Sequence, residues 1–230
     1  MKILGIIPAR CGSKSIKNKN IVDLCGKPLI AHSIDHGNFL KEQGLIDRVI
    51  VSTDCKKIKD IALQFNGEVP FIRPKKISQD HSKSIEYILH ALDFYKQNSI
   101  YFDAVLLLQP TSPIRPKEIL TEAITKFIKG KSPSLISVYK EIYINKNVMY
   151  YINSKDELIP VSSSHNLGTR KEEHKPIYIR NGAIYITRTS YLKRFKRIIS
   201  SNPAYVLMNK LDSVNIDSIE DLELAKKLLC

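Results

Sequence analysis

No stretch of this chain approaches the roughly 18 consecutive apolar residues of a membrane-spanning helix, so an integral helical membrane protein is excluded. The opening run, MKILGIIPAR, is cut by Pro8 and Arg10 and is too short for a secretory signal; a cytoplasmic chain with its native N-terminus is expected. Cysteine is scarce. Cys11, Cys25, Cys55 and Cys230 form no C-x-x-C and have no histidine at metal-ligand spacing, which argues against zinc and leaves free thiols as the expectation. There is no internal repeat and no low-complexity tract. The phosphate loop G-x-x-x-x-G-K-[ST] is missing, since Gly26-Lys27 runs into Pro28, and Gly12 lacks the partners of a G-x-G-x-x-G fingerprint. Acidic residues are outnumbered, 23 against 36 lysines and arginines, for a net charge of +13. The lysines are spread along the chain, so most of this excess reads as a basic surface rather than as one binding stripe.

With 230 residues, 43% hydrophobic and 26% charged, the chain has the balance of a folded globular protein, neither disordered nor fibrous, and the length of one domain. Short apolar runs at Ile3–Ala9, Arg48–Ser52 and Ala104–Leu108 read as strands buried on both faces, as in a parallel sheet. Leu135–Val138, Ala183–Thr187 and Tyr205–Met208 are further candidates. Helical periodicity alternates with them. Ile85, Ile88, Leu89 and Leu92 mark one helix within Ser82–Gln97, and Ile119, Leu120, Ala123, Ile124 and Phe127 another over Lys117–Ile128. Pro28 suits the first turn of a helix reaching about Lys41, and Ser218 with Asp221 resembles a capping box before a terminal helix. This alternation predicts an α/β three-layer α/β/α sandwich. Residues 139–178 break it, with Asn153-Ser154-Lys155-Asp156 placed as a hairpin turn, and are read as a protruding insertion in a single domain spanning 1–230.

Ligands of open α/β sheets bind at the carboxyl ends of strands, and three such ends are chemically loaded. The first, Pro8-Ala9-Arg10-Cys11-Gly12-Ser13-Lys14-Ser15-Ile16-Lys17-Asn18-Lys19-Asn20, holds Arg10, Lys14, Lys17 and Lys19 and no acid. Gly12 and Ser13 permit a tight turn, and four cations beside exposed amides describe a polyphosphate cradle. The second, Leu108-Gln109-Pro110-Thr111-Ser112-Pro113-Ile114-Arg115, is stiffened by two prolines. Gln109 and Thr111 either face a ligand, or the segment is an ordinary turn in which Thr111 or Ser112 caps the next helix. The third is Asp212-Ser213-Val214-Asn215-Ile216-Asp217. Asn215 and Asp217 project from one side of an extended segment and could hold Mg²⁺; alternatively Asp217 caps the last helix.

Taken together, these segments carry a resemblance. Ile7-Pro8-Ala9-Arg10-x-Gly12-Ser13-Lys14-x-x-x-x-Lys19-Asn20, Leu108-Gln109-Pro110-Thr111-Ser112-Pro113, Arg180-Asn181-Gly182-Ala183-Ile184-Tyr185-Ile186 and Ile216-Asp217-Ser218-x-x-Asp221-Leu222 resemble, in order, four motifs of the acylneuraminate cytidylyltransferases, the CMP-sialic acid synthetases. The resemblance spans nearly the whole chain. It implies a Rossmann-like nucleotidyltransferase sandwich that transfers CMP from CTP to a nine-carbon α-keto acid sugar such as N-acetylneuraminate, legionaminate or pseudaminate. Pyrophosphate is released, Mg²⁺ is the cofactor, and a homodimer forms through an inserted arm at about 139–178. It also implies residue roles: Arg10 and Lys19 as catalytic phosphate-binding cations; Gly12, Ser13, Lys14, Asn20 and Ser84 on CTP; Gln109, Thr111, Asn181 and Tyr185 on the sugar; Asp217 and Asn215 at the metal. The sequence departs from the family at Asn215, where an aspartate is common. Neither nucleic acid nor a membrane is an expected partner.

Rival readings are a cytidylyltransferase for the eight-carbon sugar of lipopolysaccharide, a nucleotidyltransferase for another base or sugar, and a basic nucleic-acid-binding module. The last lacks aromatics interleaved with the basic loop and any recognisable binding motif. His81 and Asp80 lie close in sequence to the cytosine-side Ser84, but nothing marks either as a general base.

Overall fold

A computed structural model describes residues 1–13, 15–142, 144, 146–167 and 176–230. The elements run β1 (Ile3–Pro8), β2 (Asp23–Leu24), β3 (Lys27–Pro28), α1 (Leu29–Glu42), β4 (Arg48–Ser52), α2 (Lys56–Gln64), α3 (Ser84–Gln97), β5 (Ala104–Leu107) and α4 (Lys117–Lys129). They continue with β6 (Ser134–Glu141), β7 (Tyr150–Ile152), β8 (Leu158–Pro160), β9 (Ile177–Arg188), α5 (Thr189–Phe195), β10 (Ala204–Met208) and α6 (Ile219–Leu229). The main sheet has the order β10-β6-β9-β5-β1-β4.

β1 lies parallel to both β4 and β5, and β10 parallel to β6. The expectation of a parallel sheet is corrected at one strand: β9 is antiparallel to both β5 and β6. The reason is connectivity. β6 runs out into the insertion and β9 returns from it with no crossover α-helix among the described residues, and a strand that comes back in this way pairs antiparallel.

Side chains of β1 alternate between two helical layers. Ile3 and Ile7 join Ile30 and Ile34 of α1, Ile58 of α2 and Phe127 of α4, whereas Leu4 and Ile6 join Tyr87, Ile88 and Leu92 of α3 and Leu192 of α5. Burial on both faces is why this strand is apolar throughout. Gly37 lets α1 approach β4: a Cβ there would lie 2.5 Å from Val49 Cγ2. α6 forms a third cluster, with Leu222 and Ala225 against Ile16, Leu24, Leu29 and Ile216, so the end of the chain packs on the loop that follows β1.

That docking bears on the cysteines. Cys25 is bonded to Cys230, and Cys11 to Cys55, each pair with Cα atoms 5.5 Å apart, and no cysteine among the described residues is free. The expectation of free thiols is corrected. The partners lie 44 and 205 residues apart in sequence, and only the folded loops bring them together.

The insertion holds the hairpin β7–β8, with Tyr151 opposite Ile159. Its turn falls where it was expected: Asn153 Oδ1 accepts from the backbone N–H groups of Lys155 and Glu157. Val148, Tyr151, Ile152 and Leu158 are each about two-thirds exposed, at 65%, 66%, 69% and 65%. No helix among the described residues is long and apolar enough to cross a membrane.

Candidate active site

The ends of β1, β4 and β5 open on one edge of the sheet, as parallel neighbours must. Ala9 N–H donates to the Ser52 carbonyl at 3.0 Å, Cys11 N–H to Asp54 Oδ1 at 2.9 Å, and Leu108 N–H to the Ile6 carbonyl at 3.1 Å. Above them lies a cavity of about 290 Å³. Arg10, Ser13, Lys19 and Asn20 line it from the loop after β1, Ser84 from the start of α3, and Gln109 and Thr111 from the loop after β5. Gly12 turns the first loop at φ +72°, a left-handed conformation suited to glycine. Lys14 lies outside the described residues.

Two of the predicted cations are held by specific partners. Arg10 Nη1 is 2.6 Å from Asp80 Oδ1 across the cavity, and the Arg10 carbonyl accepts from Asn20 Nδ2 at 3.0 Å. Asp80 is thus an ion-pair partner of the loop after β1. Lys19 is buried, and its Nζ donates to the Ile216 carbonyl at 2.9 Å and to Asp217 Oδ1 at 3.0 Å. The first and fourth motifs, nearly 200 residues apart in sequence, meet at this pair.

A third cation was not found by sequence reasoning. Arg73 lines the cavity and is buried, with its guanidinium 5.3 Å from the Tyr87 ring centroid, Nε donating to Ser78 Oγ at 2.9 Å and Nη2 3.8 Å from the Asp54 carboxylate. Its Nη2 is a buried donor with no hydrogen-bond acceptor among the described residues, and such a group gains from an acceptor on a ligand. Burial lowers the Arg73 pKa while Asp54 works against that. Burial also pushes the Tyr87 phenol up to about 12, opposed by a hydrogen bond with Ser84, so Tyr87 stays a neutral hydroxyl at the cavity wall. Arg73 belongs to an irregular stretch with no motif or periodicity. The only sequence signal was Thr53-Asp54 at the end of β4, a fourth polar strand end.

The loop after β5 is not a helix cap. α4 begins after Pro116, which provides no side-chain cap, and Ser112 Oγ instead lies 3.3 Å from the Asn181 carbonyl and 3.4 Å from Asn215 Oδ1. The Thr111 carbonyl accepts from Ile216 N–H at 2.7 Å. Gly182, at φ +80°, is where these segments crowd: a Cβ would meet Gln109 Oε1 at 3.2 Å and Ser112 Oγ at 3.4 Å.

The cap reading of Asp217 also fails. Ser218 caps α6, accepting from Asp221 N–H while the Asp221 carboxylate accepts from Ser218 N–H. The Asp217 carboxylate goes to Lys19 and to Asn215 Nδ2, and its side chain is 68% exposed.

Two residues expected to contact the sugar, Asn181 and Tyr185, do not line this cavity. Asn181 is buried and its side chain is fully used within the protein: Oδ1 accepts from Ser137 Oγ at 2.5 Å and Ala183 N–H at 3.2 Å, while Nδ2 donates to Ser213 Oγ at 2.8 Å and approaches Met208 Sδ at 3.1 Å. It braces β9 against β6 and the segment after β10 rather than facing the cavity. Tyr185 does not line the cavity either. It packs partly buried with the α3 layer, its ring 5.9 Å from the Arg180 guanidinium, and burial raises its pKa.

The family profile described as cytidylyltransferase matches residues 4–229. The chain is 35% identical over 230 residues to CMP-N,N'-diacetyllegionaminic acid synthase of Legionella pneumophila, covering 100% of this chain and 97% of that one. It is 33% identical over 229 residues to pseudaminic acid cytidylyltransferase of Campylobacter jejuni, covering 99% and 96% respectively. Among solved structures, CMP:2-keto-3-deoxy-manno-octonic acid synthetase complexed with CTP superposes with a TM-score of 0.72 at 17% identity, over 100% of this chain and 98% of that one, a likeness of fold.

Proposed function

This chain belongs to the cytidylyltransferase family, and from that premise we propose that it transfers CMP from CTP to the anomeric hydroxyl of a nine-carbon α-keto acid sugar, a nonulosonate, releasing pyrophosphate. The observation that carries the reading is the cavity itself. Arg10, Lys19 and Arg73 line it beside Ser13 and Asn20, and the Gln109–Thr111 loop faces them. Cations and amide donors suit a triphosphate, while the rigid amide- and hydroxyl-bearing loop suits a polyhydroxy acid.

In this reading the sugar hydroxyl attacks the α-phosphorus in line and pyrophosphate departs. Charge grows on the equatorial and leaving oxygens, where preorganised cations lower the barrier most. Arg10 takes that role, and Lys19 shares it while holding Asp217 in place. Gly12, Ser13 and Asn20 shape the loop around the phosphates, Ser84 borders the nucleoside side, and Gln109 and Thr111 hold the sugar.

Mg²⁺ fits one residue well. Asp217 offers an exposed, hard carboxylate beside the phosphate loop, whereas the Asn215 amide oxygen is turned toward Ser112. Among the described residues there is no group of three or more acidic, histidine or cysteine side chains to enclose a metal. That suits a cation held by one carboxylate together with substrate phosphates, the usual habit of Mg²⁺. Bound there it would neutralise phosphate charge.

The test is pyrophosphate release from CTP and Mg²⁺ with a panel of sugars: N-acetylneuraminate, legionaminate, pseudaminate and the eight-carbon 3-deoxy-manno-octulosonate. Turnover with a nonulosonate is expected. Turnover with the octulosonate alone, or with none, overturns the reading.

Assembly is part of the proposal. The arm carries Tyr151, Ile152 and Leu158 largely exposed on a two-stranded hairpin and Val148 exposed just before it, too much apolar surface for a free monomer. Tyr143 of the same arm lies outside the described residues. A second copy covering the arm makes a symmetric dimer. Light scattering at micromolar concentration should give twice the chain mass of 26.2 kDa, and the double change Tyr151→Asp, Ile152→Asp should halve it. A wild-type monomer rules the dimer out.

A further inference from the structure

Arg115 closes the second motif and has no part in the chemistry above. It is 3% exposed and does not line the cavity. Four groups surround its guanidinium. Nε donates to the Ala183 carbonyl at 2.8 Å, Nη2 to the Gln109 carbonyl at 2.6 Å and Nη1 to Ser33 Oγ at 3.1 Å, with His36 Nδ1 3.5 Å from Nη1. Among the described residues no carboxylate forms an ion pair with it, which is unusual for a buried cation. A charge buried at that cost without a counter-ion calls for a role that neutral packing cannot fill.

The role follows from what the fork holds. Gln109 is the first residue of the loop after β5 to line the cavity, and Ala183 follows Gly182, the close-packed glycine against Gln109 Oε1. One planar guanidinium therefore fixes two antiparallel segments at their carbonyls, with α1 behind it as a rigid back wall. Ser33 reinforces this, its Oγ lying 3.5 Å from the same Gln109 carbonyl. We propose that Arg115 is a positioning residue for the acceptor sugar, setting the place of Gln109 and Thr111 relative to the phosphate loop without touching either substrate. The proposal rests on the sugar-loop reading given above. Burial and the neighbouring Arg115 charge push the His36 pKa down to about 2, so its ring is a neutral partner for the fork throughout the working range. Burial pushes Arg115 itself down to about 9, which still leaves it charged at neutral pH.

The experiment uses the full chain and the nonulosonate turned over by wild type, with KM and kcat measured for each substrate and Tm alongside. Arg115→Met should raise the sugar KM about tenfold, the size expected when charge-assisted hydrogen bonds are lost, and should leave the CTP KM within about threefold. Arg115→Lys, which keeps the charge and one donor direction, should recover part of the sugar KM. Ser33→Ala, which leaves the cation in place, should raise the sugar KM about threefold with the CTP KM unchanged; this variant decides the matter if Arg115→Met does not fold. A parallel rise of both KM values, or a lowered Tm with both KM values unchanged, overturns the proposal. Wild type lacking turnover with every nonulosonate overturns the functional reading and this proposal with it, whereas an active wild type with no selective sugar effect overturns this proposal alone.

Discussion

Turnover should fall about 10²-fold when Arg10 is replaced by alanine, the scale on which one preorganised charge donor contributes to a transition state. The side chain reaches across the cavity mouth to Asp80, while the backbone beneath it is pinned by Asn20. The guanidinium is about one-third exposed in a loop, so its loss should hardly change folding stability. The effect should therefore appear in kcat rather than in Tm. Arg10→Lys keeps a cation but not a fork and should fall between the two. Pyrophosphate release at saturating CTP checks this, and near-wild-type turnover in Arg10→Ala would remove Arg10 from the machinery.

The larger loss is expected from Asp217→Asn, roughly 10³-fold, because metal-assisted charge neutralisation contributes several kcal/mol to such reactions. Asparagine keeps an oxygen for Lys19 Nζ, so stability should drop by only about 1 kcal/mol. Raising ordinary Mg²⁺ should not restore the rate. The structure adds a second arm to this test. Asn215 Nδ2 now donates to the Asp217 carboxylate, and Asn215→Asp would set two carboxylates together. That variant should melt lower without Mg²⁺, recover when it is added, and reach half-maximal rate at a lower Mg²⁺ concentration. Unchanged metal dependence in a stable Asp217→Asn protein would exclude the ligand role. A helix-cap explanation no longer competes, since Ser218 already caps α6.

Much of the framework was legible because its causes are local. The apolar runs of β1, β4 and β5 reflect burial on both faces, and the periodicity of α3 and α4 reflects one buried stripe each. The turn at Asn153 and the Ser218–Asp221 box were legible for the same reason: each is made by residues within four positions of one another. α2 and α5 went unread, being short helices of nine and seven residues. The direction of β9 was missed because strand polarity depends on where the preceding strand ends in space.

The site divides along the same line. That Arg10, Ser13, Lys19 and Asn20 would line one cavity was legible because one continuous loop after one buried strand concentrates cations and turn residues. Arg73 was invisible, since it reaches the cavity only after Arg73 N–H bonds the Thr53 carbonyl at 2.8 Å and lays its segment beside β4. Asn181 shows the converse. Its motif was legible but its direction was not, because a side chain on a strand faces one side or the other according to register, and here the register turns it into the core. By itself, then, the sequence determined the six strands of the main sheet, four of the six helices and which loops carry the charge, since those depend on neighbours in the chain. The partners of Lys19, Arg115 and the four cysteines were decided only by the tertiary structure, because hydrogen bonds, ion pairs and disulfides between segments depend on distances that exist only once the layers have packed.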